Sequence, residues 1–170
     1  GVAGVESRDT PLVIPRTDDC IGLFLGSQKR YLELFGQYNG CYWLNNGWIE
    51  YGWNDTVSNK EQLAERRAEY ARLYGEENAD FLMEQDRAWI QNYNACGYIA
   101  SPMFEAPAYE DKAKAFAREN GWRYVRMQGD VRMLRMLTEG AWNEKEFLIC
   151  PPYHRIEATY GEDKIRAVPI

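Results

Sequence analysis

Long apolar runs are missing from this chain of 170 residues. The longest, around residues 21–25, falls far short of the ~20 residues a membrane-spanning helix requires. A secretory signal pattern is also absent. Cysteine is sparse: Cys20, Cys41, Cys96 and Cys150 lie far apart and form no CxxC pair. That spacing does not support a secreted disulfide framework, and reduced thiols in a cytoplasm fit it better. Histidine is nearly absent, with His154 the sole one. A basic excess is missing too. The net charge of −6 supplies no field to displace the counterions of a nucleic acid. Neither a dinucleotide-binding GxGxxG nor a Walker motif occurs, and no internal repeat or low-complexity tract is visible.

What is present is the balance of a globular protein, 45% hydrophobic and 27% charged. The length suits one ordinary domain with a hydrophobic core, and a single α/β domain over residues 1–170 is expected. The aromatic share of 14%, with six Trp and twelve Tyr, is high, so some aromatics are expected at a pocket or an interface. Arg66-Arg67 and the Arg132 to Arg135 stretch sit among carboxylates at helical spacing and read as solvated faces.

Along the chain, residues 1–10 read as a connector. Pro11 to Pro15 reads as a buried strand, and Thr17-Asp18-Asp19 offers helix-capping chemistry. One helix is expected from there to about Gly36, with a turn at Asn39-Gly40. Gly22 and Gly26 within it permit close approach by a neighbouring strand or a ligand. The segment from Cys41 to Trp53 reads either as a hairpin around Asn45-Asn46-Gly47 or as an irregular aromatic lid. Two helices broken near Gly75 follow, opened by a capping box of Ser58 and Glu61. Strands at 95–100, 123–127 and 147–150 then alternate with helices at 109–120 and 131–139, and residues 165–168 can add an edge strand. Such alternation argues for a three-layer αβα fold with a mainly parallel, Rossmann-like sheet.

Ligands in parallel α/β sheets bind outside the carboxyl ends of the strands. Parallel strands would bring Cys20, Gly129-Asp130 and Cys150 to His154 to one edge. At the first turn of a helix, Cys20 reads as a thiolate nucleophile or soft-metal ligand. The competing reading is a small residue beside an Asp19 helix cap, with the neighbouring carboxylates opposing a thiolate. Cys20, Cys150 and His154 have the chemistry for a transition metal, with a carboxylate as fourth ligand, although no local spacing supports it. Asp130 is the candidate acid–base partner of Cys20, or else a simple helix cap. Arg16, Asp19, Gly129 and Trp48 are the expected ligand contacts, with Trp43, Trp48 and Trp53 suited to a flat apolar cofactor or a protein partner.

The blocks LVIPRTDDCIGLFLGSQKRY, YWLNNGWIE and GWRYVRMQGDVRMLRMLTEGAWNEKEFLICPPYHRI resemble the signature blocks of an uncharacterised domain-of-unknown-function family. That family occurs in anaerobic bacteria and methanogenic archaea, often encoded beside corrinoid-dependent methyltransferases that demethylate methylamines and betaines. Two departures stand out. Family members often carry histidine where this chain has Asp18, and commonly glycine where Tyr153 precedes His154. Longer members add an N-terminal segment, so a natural segment before Gly1 is expected.

The resemblance implies a cytoplasmic accessory protein of anaerobic corrinoid-dependent methyl transfer, binding a metal, a corrinoid or a small ligand at the Cys20 edge. Its expected partner is a corrinoid methyltransferase or corrinoid protein, with homo-oligomerisation left open. The DxHxxG pattern that presents histidine to cobalt is absent, so corrinoid contact would be transient or made through a partner. Two other readings remain: a thiol-dependent transferase using Cys20, and a non-catalytic protein docking a methyltransferase through its Trp/Tyr-rich segment.

Overall fold

The structure is a computed structural model that describes residues 1–52, 60–161 and 163–170. In chain order its strands and helices are β1 (Glu6–Ser7), β2 (Leu12–Pro15), α1 (Cys20–Phe24), α2 (Gln28–Gln37), β3 (Cys41–Leu44), α3 (Lys60–Tyr74) and α4 (Glu76–Arg87). There follow β4 (Ala95–Ala100), α5 (Pro107–Glu119), β5 (Arg123–Gln128), α6 (Arg132–Glu139), β6 (Phe147–Cys150), β7 (His154–Ala158) and β8 (Ile165–Pro169). A π-helical turn spans Trp48–Gly52, and a 3-10 helix spans Ala88–Asn92. Among the described residues, no helix is long and apolar enough to cross a membrane. The chain divides into two compact units, one of Gly1–Leu34 with Gly129–Ile170, the other of Phe35–Gln128.

The second unit is the α/β part that the alternation predicts. Strands β3, β4 and β5 pair in that order, both ladders parallel. Helix α5 presents Ala113, Phe116 and Ala117 to the same buried cluster as Cys96, Tyr98 and Ala100 of β4. Small residues on the helix let it approach the strand closely, and Cys96 Sγ donates to the Ala113 carbonyl at 3.7 Å. Much of the aromatic surplus is spent here. Tyr42, Trp89, Tyr93, Phe116 and Trp122 form a nest with ring centroids 5.2–5.9 Å apart, in the tilted and edge-on arrangements that ring quadrupoles favour. Helices α3 and α4 break at Gly75 as expected (φ 89°). Arg67 lies between them and bonds Asp80 and Glu76.

The first unit departs from the parallel expectation. Its first and last apolar strands, β2 and β6, pair with each other antiparallel, Leu12 opposite Cys150 and Pro15 opposite Phe147. A second antiparallel sheet, β1-β7-β8, supplies Ile156 together with Ile165 and Ala167. These pack with Leu12, Ile14, Leu148 and Cys150 into one apolar cluster. Each fully buried side chain there contributes about 1.5–3 kcal/mol. The supposed connector is therefore partly strand β1, and the segment after Pro152 yields β7 as well as the expected β8.

Two local expectations are corrected. The single helix from Asp19 to Gly36 is two, because Gly26 turns left-handed (φ 81°) between α1 and α2. Helix α2 then runs through Gly36 to Gln37. The Cys41 segment is neither hairpin nor lid: Cys41–Leu44 joins the parallel sheet, and Asn45 Oδ1 accepts from the Trp48 amide (2.8 Å) to start the π-helical turn. Trp53 and Ser58, with the Ser58–Glu61 capping pair, lie outside the described residues.

Candidate functional site

The β2–α1 connection is built around Asp19. Its backbone is extended (φ −155°, ψ −171°), and Oδ1 accepts from the Ile21 amide at 2.8 Å, a side-chain helix cap. Oδ2 accepts from the buried Tyr31 hydroxyl at 3.2 Å. Burial and then this carboxylate push the Tyr31 hydroxyl up to about 12. Both oxygens of Asp19 are thus held by its own unit, which makes it a positioning residue.

Cys20 opens α1 and is a free, exposed thiol. Desolvation of the sulfur and then the Asp19 carboxylate raise its pKa above the usual thiol value. A five-residue helix offers little dipole to oppose them. Both effects oppose the thiolate that a thiol-dependent transferase would use. Alkylation of Cys20 by iodoacetamide is expected to be slow at pH 7 and to rise with pH past the ordinary thiol range. Asp19→Asn keeps a cap of equal quality and is expected to speed labelling severalfold at fixed pH, read by mass spectrometry of the Cys20 peptide. Unchanged labelling would show that Asp19 does not govern the thiol.

The antiparallel β2–β6 pairing separates the residues expected at one edge. Cys20 follows the Pro15 end of the ladder, whereas Cys150 stands at the Leu12 end. Cys150 is fully buried, its thiol pushed up by burial, with Sγ 3.8 Å from the His154 carbonyl. The His154 ring Nδ1 lies 2.9 Å from the Pro152 carbonyl. Between them Tyr153 adopts φ 60°, a left-handed conformation that favours glycine. Cys20, Cys150 and His154 are thus not assembled as metal ligands. Among the described residues, no three His, Cys, Asp or Glu side chains are grouped to hold a metal ion.

Asp130, in contrast, does return to the Cys20 helix. Its amide donates to the Phe24 carbonyl (2.8 Å), and its Oδ1 accepts from the Arg132 amide (2.8 Å) at the start of α6. Its side chain covers Gly26, and Gly129 before it is buried. Asp130 thereby joins the start of α6 to the α1–α2 turn from the position before Val131, the residue at the N-cap of that helix.

Beside this junction lies a cleft of about 480 Å³, lined by Arg16, Ser27, Gln28, Lys29, Met133, Asn143, Lys145 and Glu146. Arg16 leaves β2 and donates from Nε to the Glu144 carbonyl (3.0 Å) and from Nη1 to the carbonyls of Asp163 (2.6 Å) and Ile165 (2.5 Å). One guanidinium thus ties three segments. Glu146 accepts two bonds from Arg132 and one from Asn143 Nδ2 (3.0 Å). The Arg132 bonds, chiefly, hold its carboxyl below the usual glutamate range. Arg132 also donates to the Gly26 carbonyl at 2.7 Å, so this exposed cation, on a solvated face as expected, also ties α6 to the α1–α2 turn.

Arg16 and the Asp19 turn were legible as candidates; Lys29, Asn143, Lys145 and Glu146 were not. One signal existed. Asn143 Oδ1 accepts from the Glu146 amide (2.9 Å), the Asn-x-x-Glu spacing of a capping box. In the second unit, Trp48 is 45% and Tyr51 82% exposed on the π-helical turn, and the Trp48 indole donates to Tyr42 Oη (3.2 Å).

A family model described as a protein of unknown function, DUF1638, matches residues 1–138. No curated protein and no solved structure matches the chain.

Proposed function

The chain belongs to the DUF1638 family of proteins of unknown function, and on that premise we propose a cytoplasmic accessory protein that binds a small ligand in anaerobic corrinoid-dependent methyl transfer. The observation that carries the ligand-binding role is the cleft beside the β2–α1 turn. Its volume of about 480 Å³ falls in the range of small-molecule sites. Its walls come from the end of β2, the start of α2, α6 and the 143–146 turn. The metabolic setting rests on the resemblance of the sequence blocks. The partner on this reading is a corrinoid methyltransferase or its corrinoid protein.

Elemental analysis and a UV–visible spectrum of anaerobically purified full-length protein, with a pull-down against the methyltransferase, test this reading. The expected result is capture of the methyltransferase by a protein without stoichiometric metal or corrinoid. Near-stoichiometric metal or corrinoid, or no capture, overturns it. The exposed Trp48 and Tyr51 support a second reading in which this aromatic pair does the docking. In that case Trp48→Ala with Tyr51→Ala abolishes capture.

A further inference from the structure

We infer that the cleft beside the β2–α1 turn takes a small organic phosphate, its phosphoryl group held by Arg16, Lys29, Lys145 and the first turn of α2. The inference rests on the ligand-binding reading above and names the class of ligand. Charge is the first argument. A chain of net charge −6 here lines one cleft with three cations and one carboxylate, Glu146; Lys29 also lies 3.9 Å from Glu33, an exposed pair of little strength. Arg132 already neutralises that carboxylate with two hydrogen bonds. The cleft wall thus carries an excess of cations, and cations gathered on one wall favour an anionic ligand.

Helix α2 supplies the second argument. Its first turn, Ser27 to Arg30, lines the cleft with Ser27, Gln28 and Lys29. No acidic residue occupies that turn. Lys29 and Arg30 place positive charge at the positive end of the helix dipole, an unfavourable arrangement that a bound anion offsets. Ser27 Oγ takes up the Arg30 amide at 3.0 Å, and the earlier amides of the turn have no carbonyl within the helix to bond. Carbonyls of Glu144, Asp163 and Ile165 hold Nε and Nη1 of Arg16, so the guanidinium is fixed before any ligand arrives.

Size and lining distinguish an organic phosphate from the inorganic ion. The cleft, about 480 Å³, far exceeds a phosphate group, and Met133 adds an apolar wall. Three cations and a helix end match a phosphoryl dianion better than a single carboxylate.

Titration of the full-length chain by 31P NMR and calorimetry, with glycerol 3-phosphate, ribose 5-phosphate and inorganic phosphate as probes, tests the inference. Unphosphorylated ribose and glycerol serve as controls. Saturable binding of a phosphate ester is expected, weakened by added salt and at least tenfold weaker in Lys29→Gln/Lys145→Gln. Both lysines are on the surface, so the variant keeps its fold, checked by circular dichroism. Equal binding to the variant, or no preference for the phosphorylated probes over ribose and glycerol, overturns the phosphate assignment. If a neutral compound binds saturably and shifts the amide resonances of Ser27, Gln28 and Asn143, the cleft remains a ligand site and only the phosphate assignment fails. If neither phosphorylated nor neutral probes bind, both fall.

Discussion

Gly26→Ala is expected to destabilise the first unit by about 2–5 kcal/mol, the largest single-residue effect among the variants considered. Two costs add. At φ 81° an L side chain is strained by about 1–2 kcal/mol. A Cβ there would also stand 2.7 Å from Asp130 Cβ and 2.8 Å from its Cγ, and overpacking of that kind costs about 1–3 kcal/mol. Asp130 cannot yield cheaply, because its amide is bonded to Phe24 and its Oδ1 to the Arg132 amide. With total stabilities of about 5–15 kcal/mol, thermal melting should fall by roughly 10 °C. Asp130→Gly in the same chain removes the contact but not the dihedral strain, so only part of the loss should return. A melting point within a degree or two of wild type would show that the α1–α2 turn is not left-handed. Since Ser27 to Lys29 follow this turn into the cleft, weaker ligand binding should accompany the loss of stability.

In the second unit, Gly97→Ala should cost about 1–3 kcal/mol by overpacking alone. Gly97 lies in the middle of β4, where a Cβ would meet Cys41 Sγ at 2.7 Å and the Trp43 ring at 3.1 Å. The cross-strand register, Cys41 opposite Ala95 and Trp43 opposite Gly97, holds both neighbours in place. Cys41 is buried, its thiol pushed up to about 11 chiefly by desolvation, so its sulfur behaves as a packed apolar atom. Here the obstacle is a removable side-chain atom, unlike the backbone strain at Gly26. Cys41→Ala should therefore rescue much of the loss, giving a favourable coupling in a double-mutant cycle. Strictly additive effects in urea unfolding would place the two residues out of contact.

The elements legible in advance were those with local causes. Gly75 and Gly140 end their helices where the apolar period stops, and Pro107 opens α5. The apolar runs at Ala95–Ala100 and Phe147–Cys150 are strands. Gly26 read as a close-approach position within one helix, since a glycine in a helical pattern does not by itself mark a break. The bulk of Asp130 above it and the left-handed turn make it a break. Arg132 read as part of a charged surface because Glu146, its partner, lies beyond the end of α6.

The amino-acid order by itself determined the helix ends at Gly75 and Gly140, the strands at Ala95–Ala100 and Phe147–Cys150, and that the thiol of Cys20 sits beside carboxylates. Each depends on contacts within a few residues. Tertiary structure alone decided that β2 pairs antiparallel with β6, which parts Cys20 from Cys150 and leaves no metal cluster among the described residues. It alone gathered Arg16, Lys29 and Lys145 around one cleft. Strand partners and converging charges come from segments distant in the chain. Their pairing is set by which faces bury together, and periodicity along one segment carries no record of its partner.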